Sequence, residues 1–389
     1  MSKRLALLTL LVALAAFPAS AAATPQPDRV IDEVSLPMGV GIDGPVVAWA
    51  KRRGTLGAQV VVRDGSRPRV LLSAGLGSSL VDVGRDRRGR RVVVFTRCGG
   101  RCDIVSFSLA SRSTRVVVPG VRATDVTVGA GRVFWADGRR VRSRSLEGGR
   151  VRFEAVAGRM QPSELDTDGK TLAVTGPVPF DSGNGATGLS VTRPGSGRAR
   201  LRGRRAFGEE YAALRAPVVA PEGVVTLFDD FTAGIAPGWA DFAAGQRGFT
   251  KRTSGGMGIV AWDAGAGSAV LVEAPTDAGC ALGDAFSEQR VGDAPCRVVI
   301  ASTEGERLLP PRIAVAENTA TVQRTTLDGQ RITGRTALPG VPVELIRSGQ
   351  VVERLITDAQ GRVALPASTG GDPLGIVALT EPRSYAFRG

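Results

Sequence analysis

Histidine is absent from the chain. That excludes Ser-His-Asp and Cys-His nucleophilic systems and His-ligated zinc, iron and copper. It also removes the usual proton carrier near neutral pH. Chemistry is left to carboxylates, to arginine, to Lys3, Lys51, Lys170 and Lys251, and to Tyr211 and Tyr385. Glycoside hydrolysis needs only two placed carboxylates. The candidates are Glu209, Glu210, Asp229, Asp230 and Asp241, although loops and strand ends also carry acids. Asp166-Thr167-Asp168-Gly169 is a fragment of a calcium loop, but Lys170, Thr171 and Leu172 follow it, which reads as a β-turn. No motif for a cofactor is found.

The four cysteines are Cys98, Cys102, Cys280 and Cys296. An even number in an exported chain suggests disulfides. Cys98-Gly-Gly-Arg-Cys102 has the look of half a zinc site, but without histidine the bridges 98–102 and 280–296 are the better reading. Trp49, Trp135 and Trp262 fall in apolar runs and are expected to pack between strands. Trp239 stands beside a turn and is the one expected at the surface.

The formal charge is +13, and all but four of the cations are arginine. A basic balance favours anionic partners such as acidic polymers or glycans. Clusters occur at Arg85, Arg87, Arg88, Arg90 and Arg91, at Arg139 to Arg144, and at Arg198, Arg200, Arg202, Arg204 and Arg205. The first and third are the preferred anion contacts. The three clusters fall at different points of the repeat described below, so nothing places them on one face. That argues against a specific nucleic-acid site, which needs a contiguous stripe with stacking aromatics.

The elements that position these residues begin after an export signal. Lys3 and Arg4 precede an apolar run from Leu5 to Phe17, and Ala19-Ser20-Ala21 supplies a cleavage site. The run is too short to span a bilayer, no cysteine follows it for lipidation, and no later stretch is long and apolar enough to cross a membrane. Residues 1–23 are therefore expected to be removed, leaving a protein outside the cytoplasm with no transmembrane segment.

The body is repetitive, and it is rich in glycine and proline between short runs of Val, Ile and Leu. Turn glycines recur at Gly44, Gly89, Gly131, Gly169, Gly223 and Gly267, each followed by a β-rich run. A four-strand unit of about 40–45 residues is one propeller blade. The fold class expected is all-β: a β-propeller over residues 29–335 and a small β-sandwich over 336–389. Seven blades are preferred over six. In the seven-blade version Arg312 onward supplies three strands, and Arg29 to Leu36 completes that last blade and closes the ring. A six-bladed ring would end near Ala314.

Two resemblances accompany this reading. Asp166-Thr167-Asp168-Gly169-Lys170-Thr171-Leu172-Ala173-Val174 is similar to the turn-strand motif of TolB-like propellers, with partial echoes at Arg87–Arg91 and Ile42–Pro45. It implies a fold and no single activity. The tail, through Gly340-Val341-Pro342-Val343-Glu344-Leu345 and Thr357-Asp358-Ala359-Gln360-Gly361-Arg362, resembles the carboxypeptidase regulatory-like domain. That resemblance implies an immunoglobulin-like, non-catalytic accessory module. Sialidase-like propellers carry Ser-x-Asp-x-Gly-x-Thr-Trp boxes, and this chain has none. The functional expectation is an exported binding or scaffold propeller with a protein or acidic-polymer partner. The alternative is a carboxylate-dependent glycan-active enzyme, with two carboxyls in the central channel.

Overall fold

The structure, a computed structural model, describes residues 26–388 apart from 231–256, 276–295 and short breaks. The signal segment, Cys280, Trp239, Glu209, Glu210 and Asp241 lie outside the described residues. All described elements are strands. The six turn glycines have φ of +59, +74, +74, +87, +140 and +73° in chain order. Each sits between the first and second strand of a unit, where the chain needs a left-handed residue to reverse.

Four units are complete within their own sequence. The first is Gly39–Asp43, Val46–Arg53, Gly57–Asp64 and Val70–Leu76. The second is Val81–Arg85, Arg91–Cys98, Cys102–Ser108 and Ser113–Val121. The third is Asp125–Gly129, Arg132–Asp137, Arg140–Ser145 and Gly148–Glu154. The fourth is Glu164–Thr167, Leu172–Val178, Ala186–Thr192 and Ala199–Ala206. Of the fifth unit, Ala212–Ala220 and Gly223–Asp230 are described. The sixth joins Met257–Gly265, Ser268–Pro275 and Cys296–Ser302 to the N-terminal strand Arg29–Val34.

The first strand of each unit packs against the first strand of the next, and Met257–Gly265 returns to Gly39–Asp43. Among the described residues, six inner strands thus close a ring, the architecture of a β-propeller. Apolar side chains fill each cleft between neighbouring sheets. Trp49 and Val61 meet Val34 and Val298 between the sixth and first sheets. Trp135 and Val133 meet Val94 and Ile104 between the second and third. Trp49, Trp135 and Trp262 are all buried, as packing between blades requires. Glycine lets the inner strands approach closely: a Cβ on Gly84 would lie 2.2 Å from the Val128 carbonyl oxygen.

The seventh-blade expectation is corrected. Arg312–Ala316, Thr319–Asp328 and Arg331–Ala337 join a different sheet, with Glu306–Leu308, Gln26–Pro27 and Arg362–Ala364. Ile313, Ala320 and Val322 share a core with Val343, Leu345, Val363 and Ile376 from the tail. Those strands bury their apolar face against the second tail sheet, formed by Pro342–Arg347, Gln350–Ile356, Leu374–Ala378 and Ser384–Arg388. The closing strand was assigned to the wrong sheet for the same reason. Arg29–Val34 does complete a ring sheet from outside its sequence neighbourhood, but it pairs antiparallel with Cys296–Ser302. Cys296–Ser302 is the last strand in sequence of that sheet.

Cys98 and Cys102 are bridged across one hairpin of the second sheet, in register with each other. The tail unit is clamped to the sixth sheet by buried polar groups. Arg312 pairs with Glu273, both almost fully buried. Arg297 donates to the Arg383 and Pro311 carbonyls, and on the tail side Ser384 Oγ donates to the same Pro311 carbonyl at 2.7 Å.

Removing Arg29–Val34 bares the edge of Cys296–Ser302, and exposed edges template association. The truncated protein should lose its monomer peak in size-exclusion chromatography and melt earlier. Glu273→Ala leaves Arg312 buried without its counter-charge, which costs about 3–5 kcal/mol. Denaturant unfolding should show that loss; an unchanged midpoint would mean that water reaches Arg312.

Candidate functional site at the ring centre

An inner strand pairs with its own sheet on one edge only. Its other edge presents backbone N–H groups to the ring centre, where they need acceptors. Acids on the inner strands supply them. Asp82 accepts from its neighbour Val83 N at 2.6 Å and from Val128 N, on the next inner strand, at 2.7 Å. Asp125 accepts from Val126 N and from Leu165 N of the fourth sheet. Asp166 and Glu164 accept from Val219 N and Ala216 N of the fifth, both at 2.6 Å. Asp263 accepts from Ala264 N and, across the ring closure, from Ile42 N at 2.6 Å. One motif thus staples four of the junctions: the carboxylate reaches forward to the following strand with charge-assisted bonds.

Three of these acids form a waist across the channel. Thr127 Oγ1 lies 2.7 Å from Asp82 Oδ2 and 3.0 Å from Asp166 Oδ1. A hydroxyl has one proton to donate and lone pairs to accept with. Both contacts are hydrogen bonds only if one of the two carboxyls is protonated and donates to Thr127, which then donates to the other. The electrostatics agree. Burial, with Asp166 nearby, raises Asp82 to about 7. Burial also raises Asp166. Burial, followed by the charges of Asp166 and Asp82, raises Asp263 well above the usual carboxylate range. Desolvation does the same to Asp125. Asp82 and Asp263 are buried, while Asp125 and Asp166 keep a partial exposure and line the channel.

The waist divides the channel. One side is a cavity of about 260 Å³ lined by Leu80, Thr124, Glu164, Arg215 and Trp262. The other, about 440 Å³, is lined by Asp43, Arg85, Val128, Asp168 and Thr171. Paired carboxyls in the channel therefore exist, but at residues other than the five candidates. Glu209, Glu210 and Asp241 are not described, and Asp229 and Asp230 stand on strand Gly223–Asp230. The sequence carried a usable signal: an acid recurs within the first strand of the second, third, fourth and sixth units. In the sequence Asp166 belongs to a calcium-loop fragment and to the TolB-like turn-strand motif. In the structure Asp168 accepts from Lys170 N and Thr171 N, which is turn geometry.

The arginine clusters have different surroundings. Arg85 makes two bonds to Asp43, at 2.8 and 2.9 Å, and Arg91 approaches the same acid. Arg90 pairs with Asp86, and Arg87 with Glu147 of the third sheet; Arg88 is exposed. Arg198 and Arg200 are exposed, and Arg202, Arg204 and Arg205 continue along strand Ala199–Ala206. The sequence placed none of the clusters on a common face. The fold brings the first and the Arg139–Arg144 group onto neighbouring sheets, whereas the Arg198–Arg205 run lies on the outermost strand of the fourth.

No family model matches the chain, and no curated protein matches it. Among solved structures it is similar to TolB from Acinetobacter baumannii, with 12% identity over 69% of this chain and 55% of that one, at a TM-score of 0.38. It is similar to the acylaminoacyl peptidase of Pyrococcus horikoshii, with 10% identity over 89% and 59%, at 0.42. It is also similar to puromycin hydrolase, with 16% identity over 88% and 58%, at 0.39. The chain spans less than two thirds of the length of each.

The raised carboxyls set a pH dependence. A group whose folded pKa lies above its unfolded value favours folding most when protonated, below about pH 4. That contribution is lost as pH rises through about 7, the value for Asp82. The melting temperature should therefore fall between about pH 5 and pH 8. Asp82→Asn should lower it at the acid end, by removing an amide acceptor, and flatten the decline. A decline of unchanged slope in this variant would show that Asp82 does not titrate in that window.

Proposed function

We propose that the chain is an exported β-propeller scaffold or binding protein that meets its partners on the outer surface and not in the ring channel. One observation supports this above all: the channel acids are consumed in holding neighbouring inner strands together. Asp82, Asp125, Asp166 and Asp263 each accept backbone N–H groups, one of them from the next sheet. Moving any of them to serve a substrate would open the ring. The tail fits the same reading, as a small accessory module of the immunoglobulin-like kind. Export is part of the proposal and rests on the N-terminal signal and the Cys98–Cys102 bridge, since disulfides persist in oxidising compartments.

A second reading has its own support. The Asp82–Thr127–Asp166 unit brings two carboxyls to one hydroxyl, and paired carboxyls are what carboxylate-dependent hydrolysis uses. Two measurements on one set of variants separate the readings. The purified protein is assayed on a panel of aryl glycosides, and Asp82→Asn and Asp166→Asn are assayed and melted beside it. The scaffold reading expects no turnover and a fall of about 5 °C or more in melting temperature for each variant. Turnover by the wild type that disappears in variants of unchanged stability would make the channel an active site.

A further inference from the structure

The charge of this protein is concentrated. Val81–Glu154, the second and third sheets, holds seventeen arginines against seven acids, in a chain whose whole excess is +13. Exposure sharpens the contrast. Twelve of these arginines are exposed, and Glu147 is the one exposed acid of the seven. Asp82 and Asp125 are committed to the ring centre.

Several of these arginines meet across the cleft between the two sheets. Arg87 reaches Glu147 at 3.5 Å, and Arg115 donates to the Glu147 carbonyl, so a turn and an outer strand of the second sheet meet the last hairpin of the third. Arg144 crosses the same cleft to the Val117 carbonyl at 2.8 Å. Arg132 feels Arg152 and Arg87 as like charges. On strand Arg140–Ser145, Arg140, Arg142 and Arg144 alternate with the buried Val141, Ser143 and Ser145; Arg140 is exposed, Arg142 pairs with Asp137 at 2.8 Å, and Arg144 also donates to the Gly149 carbonyl. Alternate residues of a strand lie about 7 Å apart on one face. Cross-strand from Arg142 stands Phe153, 59% exposed. The guanidinium groups of Arg140 and Arg142 lie 5.0 and 5.3 Å from its ring centre.

We propose that this sector, the outer edges and turns of the second and third sheets, binds acidic polysaccharide through its arginine rows. The inference rests on the surface-binding reading above and names the partner and the place. A linear chain with one carboxylate per sugar suits a row of forked donors on an extended strand. Single-stranded nucleic acid suits it less, because base stacking needs free aromatic faces. Phe153 is the one large exposed aromatic among the described residues, and arginines already cover it. A folded acidic protein would need a desolvated apolar anchor. The sector offers instead charges spread over two sheet edges.

The test uses the full mature chain and immobilised polygalacturonate, with an oligodeoxythymidylate resin in parallel. Arg140→Gln/Arg150→Gln/Arg152→Gln removes three exposed charges from the sector. Arg193→Gln/Arg198→Gln/Arg335→Gln removes three exposed charges elsewhere, so both variants have the same net charge. Polygalacturonate binding at low salt should weaken on the order of tenfold in the first and about twofold or less in the second. Soluble polygalacturonate should also shield Arg140, Arg150 and Arg152 of the wild type from phenylglyoxal, and not Arg193 or Arg335; this readout needs no variant to fold. Equal weakening in both variants would reduce the effect to net charge. Flow-through of the wild type at low salt, or tighter retention on oligodeoxythymidylate, would overturn the polysaccharide assignment. Neither result touches the ring-centre acids, on which the scaffold reading is judged separately.

Discussion

The forward-reaching carboxylate is the interaction on which this ring depends. In a closed ring of sheets the innermost strands face one another without pairing, so each leaves a line of backbone donors directed at a narrow channel. Water could satisfy them only at the cost of a wide centre. Here an aspartate in the strand turns back to its own following N–H and forward to the N–H of the next strand. Each such group joins two sheets that share no ladder. The glycines at these strands belong to the same solution, because without a Cβ the neighbouring backbones come within the reach of a short side chain.

That solution has an electrostatic consequence. Gathering carboxylates in a channel too narrow for free solvation raises their pKa values; beyond burial, Asp166 raises Asp82, and Asp166 and Asp82 together raise Asp263. The Thr127 hydroxyl stands between two of them, within hydrogen-bond distance of both. A cluster that looks catalytic by its perturbed acids is thus explained by the backbone donors around it. Perturbed acids mark functional sites and structural networks alike, and the partners of the oxygens decide between them.

Closure is the second constraint. The ring has no free ends because its last sheet borrows Arg29–Val34 from the start of the chain. The same N-terminal segment continues backward into the tail sheet, where Gln26–Pro27 pairs parallel with Glu306–Leu308. Ring and tail are therefore tied twice: by shared use of the N-terminus and by the buried Arg312–Glu273 pair. While acids crowd the centre, the surplus positive charge lies on the outside of two adjacent sheets.

Much of the architecture was legible in the sequence. The turn glycines, the strands after them, the bridged Cys98–Cys102 hairpin and the buried tryptophans all follow from local needs. Positive φ favours glycine, and short apolar alternation makes a strand. What stayed illegible was pairing over long distance. Arg312–Ala337 has the strand pattern of a blade, and only its burial against Val343, Leu345 and Ile376 shows that it belongs to the tail. The centre was missed for a related reason. An aspartate inside a strand reads as a surface charge until the fold shows that its strand is innermost and that Val128, Leu165, Val219 or Ile42 donates to it from the next sheet. The sequence by itself determined the repeat, because a strand and its turn are settled by residues a few positions apart. The pairing of Arg312–Ala337 with the tail, the meeting of each ring acid with a donor on the next sheet, and the approach of Arg87 and Arg115 to Glu147 were decided by tertiary structure, because each depends on partners tens to hundreds of residues away.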